Sequence, residues 1–481
     1  MEKIGIYRKK LSKKKEIELR QDVIIPDAKQ DIVTVLDGNF FCYFSKIEMV
    51  EGRIKVNGNV DSYITYISSS EETVGLQSNF YFDDMLENKI ITENMHLKYQ
   101  LEIVKQEIKI VNERKISIML TVQILYEVYG VDEIELWNDV GALEDIQVAS
   151  QKVNLYSFIG INSNLASLKE EIKVDSNDAI AEVLKVVTNI IDKEVKISYH
   201  KVLTKADLQV SILYLTKEGR VGKVEDKFPI MSFIELENVK EENVCSTDYQ
   251  IRNMLLNINS SDENSITLQM EYEIICQAFE NREQEIVNDV YSLKYHTEMT
   301  SKEIEVKTEI PENEKEKIDI NEKVNLEEEA RVIDVFGKCR MIKNSEGEIE
   351  LKVYYESSRH SGLNIKTITL PVVHKKIHDS SNLVLSSMEF EFNAPVLTIQ
   401  GNMMIEEKDV QEQVICVVQK VEQRELLKEQ EFGMVVYSIK KNDTLWNIAK
   451  RFRVKQESII SSNELEEPYL LNSGEKIYII R

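Results

Sequence analysis

Between residues 116 and 128 every second residue is large and apolar: Ile116, Ile118, Leu120, Val122, Ile124, Tyr126 and Val128, with Ser117, Thr121, Gln123 and Glu127 among those between. Side chains of an extended strand alternate between two faces, so this run predicts a long strand with one buried and one solvated side. The pattern returns at Ile266, Leu268, Met270, Tyr272, Ile274 and Cys276. Strands of this kind demand antiparallel sheets that hide one face each, and they leave little room for any other fold class.

The recurrence is part of a longer internal repeat. Tyr99-Gln100 returns as Tyr249-Gln250 and Asn138-Asp-Val140 as Asn288-Asp-Val290, at the same offset as the strand pair. Upstream, Pro26-Asp-Ala28 matches Asn177-Asp-Ala179, and each precedes an apolar pattern with helical spacing, Ile32 to Leu36 and Val183 to Ile190. A tyrosine-bearing strand then follows in each copy, Tyr63 to Ser68 and Ser211 to Thr216. A diverged third copy has Ala330 to Val335 as its helix, Glu350 to Tyr355 as its tyrosine strand and Val396 to Ile405 as its later strand.

Charge and composition divide the chain further. With 60 basic and 84 acidic residues the net charge is −24, which repels nucleic acid and anionic membrane. Residues 301–330 hold sixteen charged residues in thirty and read as a solvated linker, with an acidic docking strip as the alternative. The first twenty residues carry eight Lys or Arg against three acids and read as a soluble, frayed end rather than a contact for acidic head groups. No apolar stretch follows that basic run, and none elsewhere reaches transmembrane length, so neither a secretory signal nor an integral membrane segment is expected. The five cysteines (Cys42, Cys245, Cys276, Cys339 and Cys416) lack paired spacing and read as reduced and structural.

No catalytic constellation emerges. The chain has no phosphate-cradling Gly-x-x-x-x-Gly-Lys loop and no Gly-x-Ser-x-Gly elbow. His374 and His378 are four apart, but they follow a strand-like run and lack the glutamate of a metalloprotease helix, so no metal and no cofactor is expected.

The C-terminal residues differ from the rest. Val435, Tyr437 and Ile439 alternate as a strand, and Asp443 or Thr444 can cap a helix whose face is Leu445, Ile448, Ala449 and Phe452. Ser458 to Asn463 forms a second short helix, Gly474 supplies a turn, and Ile477 with Ile479 returns as the partner strand. The string Asn442-Asp-Thr-Leu-Trp-Asn-Ile-Ala449, with Asn463 ending the second helix, resembles a LysM domain. That resemblance implies a βααβ unit that grips N-acetylglucosamine polymers between two loops. By position, Asn442, Asp443, Thr444 and Leu445 form one wall and Asn463, Glu464 and Leu465 the other. Trp446 borders them and is read as a core residue rather than a stacking platform. Asn442 stands where the family usually has glycine, and asparagine is the next-best residue for a left-handed turn.

Three β-rich copies followed by a LysM resemble the SipL-like proteins of endospore-forming bacteria. The resemblance implies a non-enzymatic scaffold in the mother-cell cytosol. It implies as partners the SpoIVA-like coat morphogenetic ATPase, bound partly through the LysM, and other coat proteins. A glycan-directed adaptor is the alternative, with an N-acetylglucosamine-containing polymer as its ligand. The predicted fold is mainly β: three antiparallel β-rich repeats, each with a short helix, then a small βααβ module. The expected divisions are a basic stretch (1–20), repeats at 21–150 and 151–296, a charged linker (297–329), a third repeat (330–420), a connector (421–433) and the C-terminal module (434–481).

Overall fold

The alternating run at 116–128 forms the middle of β6 (Lys115–Leu136), and its inward side chains from Ile116 to Val128 are at most 2 % exposed. The computed structural model describes residues 2–138, 141, 143–175, 179–259, 263–309, 316–343, 345–357, 362–375, 377, 382–406, 411–425 and 433–480. β6 lies between β1 (Glu2–Ile24) and β5 (His96–Asn112), antiparallel to both. A meander of β2 (Ile32–Val50), β3 (Arg53–Ser68) and β4 (Thr73–Glu87) faces this sheet. Phe44, Ile54, Tyr66 and Phe82 of the meander meet Ile118, Val122 and Tyr126 of β6 in one core. Each sheet hides one side and wets the other, as the alternation requires.

A second unit repeats this topology. The meander β8 (Ile180–Ser198), β9 (Lys201–Thr216) and β10 (Val221–Glu235) covers a sheet of β7 (Ile146–Lys173), β12 (Ser265–Ser292) and β11 (Val244–Ile258). In the third unit two described strands stand in the place of each long strand. β13 (His296–Glu309) and β14 (Glu316–Asn325) lead in, and β19 (Val396–Glu406) and β20 (Gln411–Arg424) lead back. Between them come the meander β15 (Arg331–Lys343), β16 (Glu346–Glu356), β17 (Leu363–Val373) and then β18 (Asn382–Asn393).

The long strands exceed what their own sandwiches need, and their surplus builds a hub. Three antiparallel ribbons meet there: β1 with β6, β7 with β12, and β13 with β20. Ile4, Ile6, Ile134 and Leu136 from the first ribbon, Val153, Leu155 and Ile286 from the second, and Ile304, Val306, Ile415 and Val417 from the third form one buried cluster. A two-stranded ribbon cannot stand alone in water; three that share an apolar face can.

The segments expected to be short helices are strands. Ile32–Leu36, Val183–Ile190 and the part of Ala330–Val335 from Arg331 onward lie in the first strand of each meander. The cause is a β-bulge at the same place in each unit. Val35 pairs with Tyr66, Val183 with Tyr214 and Val332 with Tyr355; each register then skips one residue to Asp37, Lys185 and Asp334. An extra residue puts two apolar side chains in succession, Val35-Leu36, Val183-Leu184 and Val332-Ile333, which breaks period two and imitates a helical face. The bulges also aim Leu36, Leu184 and Ile333 into a single cluster with Leu213, Leu215, Val221, Tyr354 and Leu363, where the three meanders meet.

A buried polar network sits beside that cluster. Lys185 Nζ lies 3.2 Å from Asp37 and donates to the Tyr354 hydroxyl at 2.7 Å, while Lys352 reaches the other Asp37 oxygen at 2.7 Å. Tyr354 also donates to Asp37. Burial pushes the Asp37 carboxyl up, but Lys185 and Lys352 outweigh it and hold the group below its ordinary value. Burial lowers the Lys185 ammonium despite its partner. One carboxylate thus ties together strands of all three units.

Two charged stretches also depart from expectation. The basic segment read as a frayed end is β1, paired along its length with β6. The stretch 297–329 read as a linker supplies most of β13 and all of β14. In both, apolar residues recur at every second position (Ile4 and Ile6, Ile17 and Leu19; Ile304 and Val306, Ile318 and Ile320) among charged residues on the solvated face. Of the connector 421–433, residues 421–424 end β20. Asp139, Val140, Asn177, Asp178, His378 and residues 426–432 lie outside the described residues, and with His378 goes the test of its pairing with His374. Among the described residues no group of three or more His, Cys, Asp or Glu could hold a metal, and no helix is long and apolar enough to cross a membrane.

Candidate functional site

The C-terminal module forms from β21 (Met434–Ser438), α1 (Leu445–Phe452), α2 (Gln456–Ser462) and β22 (Lys476–Ile480). β21 and β22 pair antiparallel, Val435 opposite Ile479 and Tyr437 opposite Ile477, and this side of the ribbon rests on the helices. Ile448 and Ala449 are fully buried, with Leu445 and Phe452 packed beside them, so the expected apolar helix face is present.

The first loop is fixed by its own side chains. Thr444, in extended conformation, is the N-cap: its hydroxyl accepts from the Asn447 amide at 3.1 Å. Asp443 takes the other task, accepting from the Lys440 amide at 2.8 Å and from the Tyr437 hydroxyl at 2.7 Å. These hydrogen bonds hold its carboxyl below the ordinary range. Asn442 has φ of +71°, the left-handed turn for which asparagine is suited. Thr444→Ala removes one cap bond and is expected to cost the module about 1 kcal/mol, seen as roughly fivefold faster hydrogen exchange along α1.

The second loop is anchored through Asn463. Its amide donates to the carbonyls of Ile459 (2.8 Å) and Tyr478 (2.7 Å), and its oxygen accepts from the Tyr478 amide at 2.6 Å. Asn463 therefore ends α2 and fastens the helix to β22. Glu464 follows with φ of +50° and is exposed, and the Leu465 amide donates to the Ile460 carbonyl at 3.2 Å. Of the eight predicted site residues, Asp443, Thr444 and Asn463 hold the loops in shape. Asn442 and Glu464 present their side chains to solvent, and Leu445 and Leu465 are half-buried.

Trp446 does something else. Its indole N–H donates to Asp289 of β12 at 2.7 Å, and its ring meets Tyr291 edge-on with centroids 4.9 Å apart. Lys450, one turn further along α1, pairs with the other Asp289 oxygen at 2.5 Å. Tyr291, 4 % exposed, donates to the Val454 carbonyl at 2.7 Å, and Leu293 packs against the module's core. The module is thus seated on the hub, with α1 facing β12. Asp289 and Tyr291 had no functional mark in the sequence beyond the repeated Asn-Asp-Val. The available signal was Tyr291 itself, because the matching position in the first copy is Gly141.

A family model described as the SipL SPOCS domain matches residues 179–259, the meander and β11 of the second unit, and the LysM domain model matches residues 437–479. No curated protein and no solved structure matches the chain.

Proposed function

We propose that this SipL-like chain, which carries a SPOCS domain and a LysM domain, is a non-enzymatic adaptor of endospore coat assembly. In this reading it works in the mother cell at the forespore surface. There it binds the SpoIVA-like coat-basement ATPase, partly through the LysM loops, and other coat proteins through its three β units. The observation that carries the reading is the seating of the LysM domain on the hub by Asp289, Tyr291 and Trp446. A ligand-binding module fixed to a large sheet body offers two contact surfaces at a constant spacing, and against a polymeric layer two modest contacts of that kind combine into strong attachment. A glycan-directed adaptor is the second reading, favoured by Asn442 and Glu464, which stand free on the two loops where LysM domains take N-acetylglucosamine polymers.

Capture of the purified ATPase by the full chain, run beside sedimentation with insoluble peptidoglycan, separates the two. The expected result is capture of the ATPase, weakened at least tenfold by Asn442→Gly with Glu464→Gly, since both backbones already have positive φ and glycine keeps the fold. Sedimentation with peptidoglycan and no capture of the ATPase would replace the first reading with the second.

A further inference from the structure

The LysM ribbon has a second side. On the face turned away from the helices, Met434 stands opposite Ile480 and Val436 opposite Tyr478, and the four are 60, 44, 53 and 48 % exposed. Two directly paired apolar rows on a five-residue ribbon form a continuous exposed strip.

The edges of the ribbon are unequal. Beyond β22, the Asn463 amide engages both the N–H and the C=O of Tyr478, which closes that edge. Beyond β21 no strand lies among the described residues. An uncovered edge beside an exposed apolar face is the template that an added strand completes: main-chain hydrogen bonds hold it, and its alternate side chains extend the apolar strip.

Charge at one end selects the strand. The next row after Val436 and Tyr478 is Ser438 opposite Lys476, and the chain leaves β21 through Ile439 to Lys440 and Lys441. Lys440, Lys441 and Lys476 are all exposed, and none has an ion pair with a described residue. The LysM segment carries eight basic and six acidic residues, whereas the chain as a whole is at −24. A basic end on an otherwise acidic protein is suited to an acidic partner.

We propose that β21 is a docking edge for an extended segment of a partner protein, with alternating apolar residues and carboxylates at the end beside Ser438. The inference rests on the LysM domain acting as a protein-binding module. It places a contact on the ribbon, apart from the two loops.

The full chain is titrated into two fluorescein-labelled peptides of alternating valine and threonine, one ending in two glutamates and one in two lysines, and anisotropy is read at low and physiological salt. The glutamate peptide is expected to bind at least tenfold more tightly at low salt. That preference is expected to vanish in Lys440→Glu with Lys476→Glu, and binding to fall at least tenfold in Val436→Asp. All three substitutions are on exposed side chains, so the fold is retained. Equal binding of the two peptides, or none at millimolar concentration, overturns the proposal. Sedimentation of the chain as a dimer that Val436→Asp dissolves also overturns it, and assigns the edge to a second copy. ATPase capture is measured on the same variants. Wild-type capture that Val436→Asp leaves intact, together with no peptide binding, removes the docking edge and spares the adaptor reading. No capture by wild type removes the coat-ATPase reading whatever the peptides do.

Discussion

Asp37→Ala is expected to destabilise the whole chain by about 3–5 kcal/mol, the usual cost of removing one partner from a buried ionic group. Asp37 is the acceptor for Lys185, Lys352 and Tyr354, and its side chain is 7 % exposed. Its loss takes the paired carboxylate from Lys185 and leaves Lys352 with Glu350 at 3.8 Å. Lys185→Met should cost much less, because Asp37 keeps Lys352 and Tyr354 and the new side chain adds to the apolar junction. An exposed pair such as Lys3 with Glu133 sets the lower mark, because solvent screens it. Urea unfolding of the four chains orders these effects, and equal losses for Asp37→Ala and Lys3→Ala would refute the account. The network also predicts acid sensitivity. The folded chain holds the Asp37 carboxyl below its ordinary 3.8, so its contribution is complete at neutral pH and is lost as pH falls through that value and below. Asp37→Asn should lack that part of the acid slope.

The second large effect lies at the seat of the LysM domain. Tyr291→Ala removes an aromatic that is 4 % exposed, its edge-on contact with Trp446 and its hydrogen bond to Val454. A loss of about 3–5 kcal/mol is expected, borne by the docking of the module rather than by its own fold, since Tyr291 belongs to β12. Free of its seat, the module should keep its helices while Trp446 fluorescence shifts to the red. Proteolysis between the hub and residue 434 should accelerate at least a hundredfold. Unchanged emission and cleavage would show that the module is held by other means.

The sequence disclosed the sheet faces because β6 and β12 obey period two without interruption along their sandwiched lengths. It disclosed the C-terminal module because a helix cap, an apolar helix face and two short strands are all local features; Thr444, Asn442 and Gly474 act as local chemistry predicts. It misled at Val35-Leu36, Val183-Leu184 and Val332-Ile333, where a bulge changes the period for non-local reasons: the added residue is directed to a junction made by three distant segments. Charge density misled in β1, β13 and β14, where the solvated face is rich in lysine and glutamate and the apolar positions between are few. For the candidate site, the loop residues were legible, but the orientation of Trp446 was not. Its partners are more than 150 residues away and carry no pattern of their own.

The three bulges end on Asp37, Lys185 and Asp334, equivalent positions of which the second alone carries a positive charge. The second unit supplies a lysine to each neighbour, Lys185 to Asp37 and Lys223 to Asp334, the latter at 2.9 Å. A chain of near-copies faces a hazard that a chain of unrelated domains does not. Its units can close in the wrong cyclic order, or exchange with those of another molecule during folding. Here a first or third unit in the second unit's place brings carboxylate against carboxylate in a dry junction. The charges therefore act as a key that marks the second unit among otherwise interchangeable parts, and a chain rebuilt from three identical first units should misassemble even though each of its sandwiches could fold.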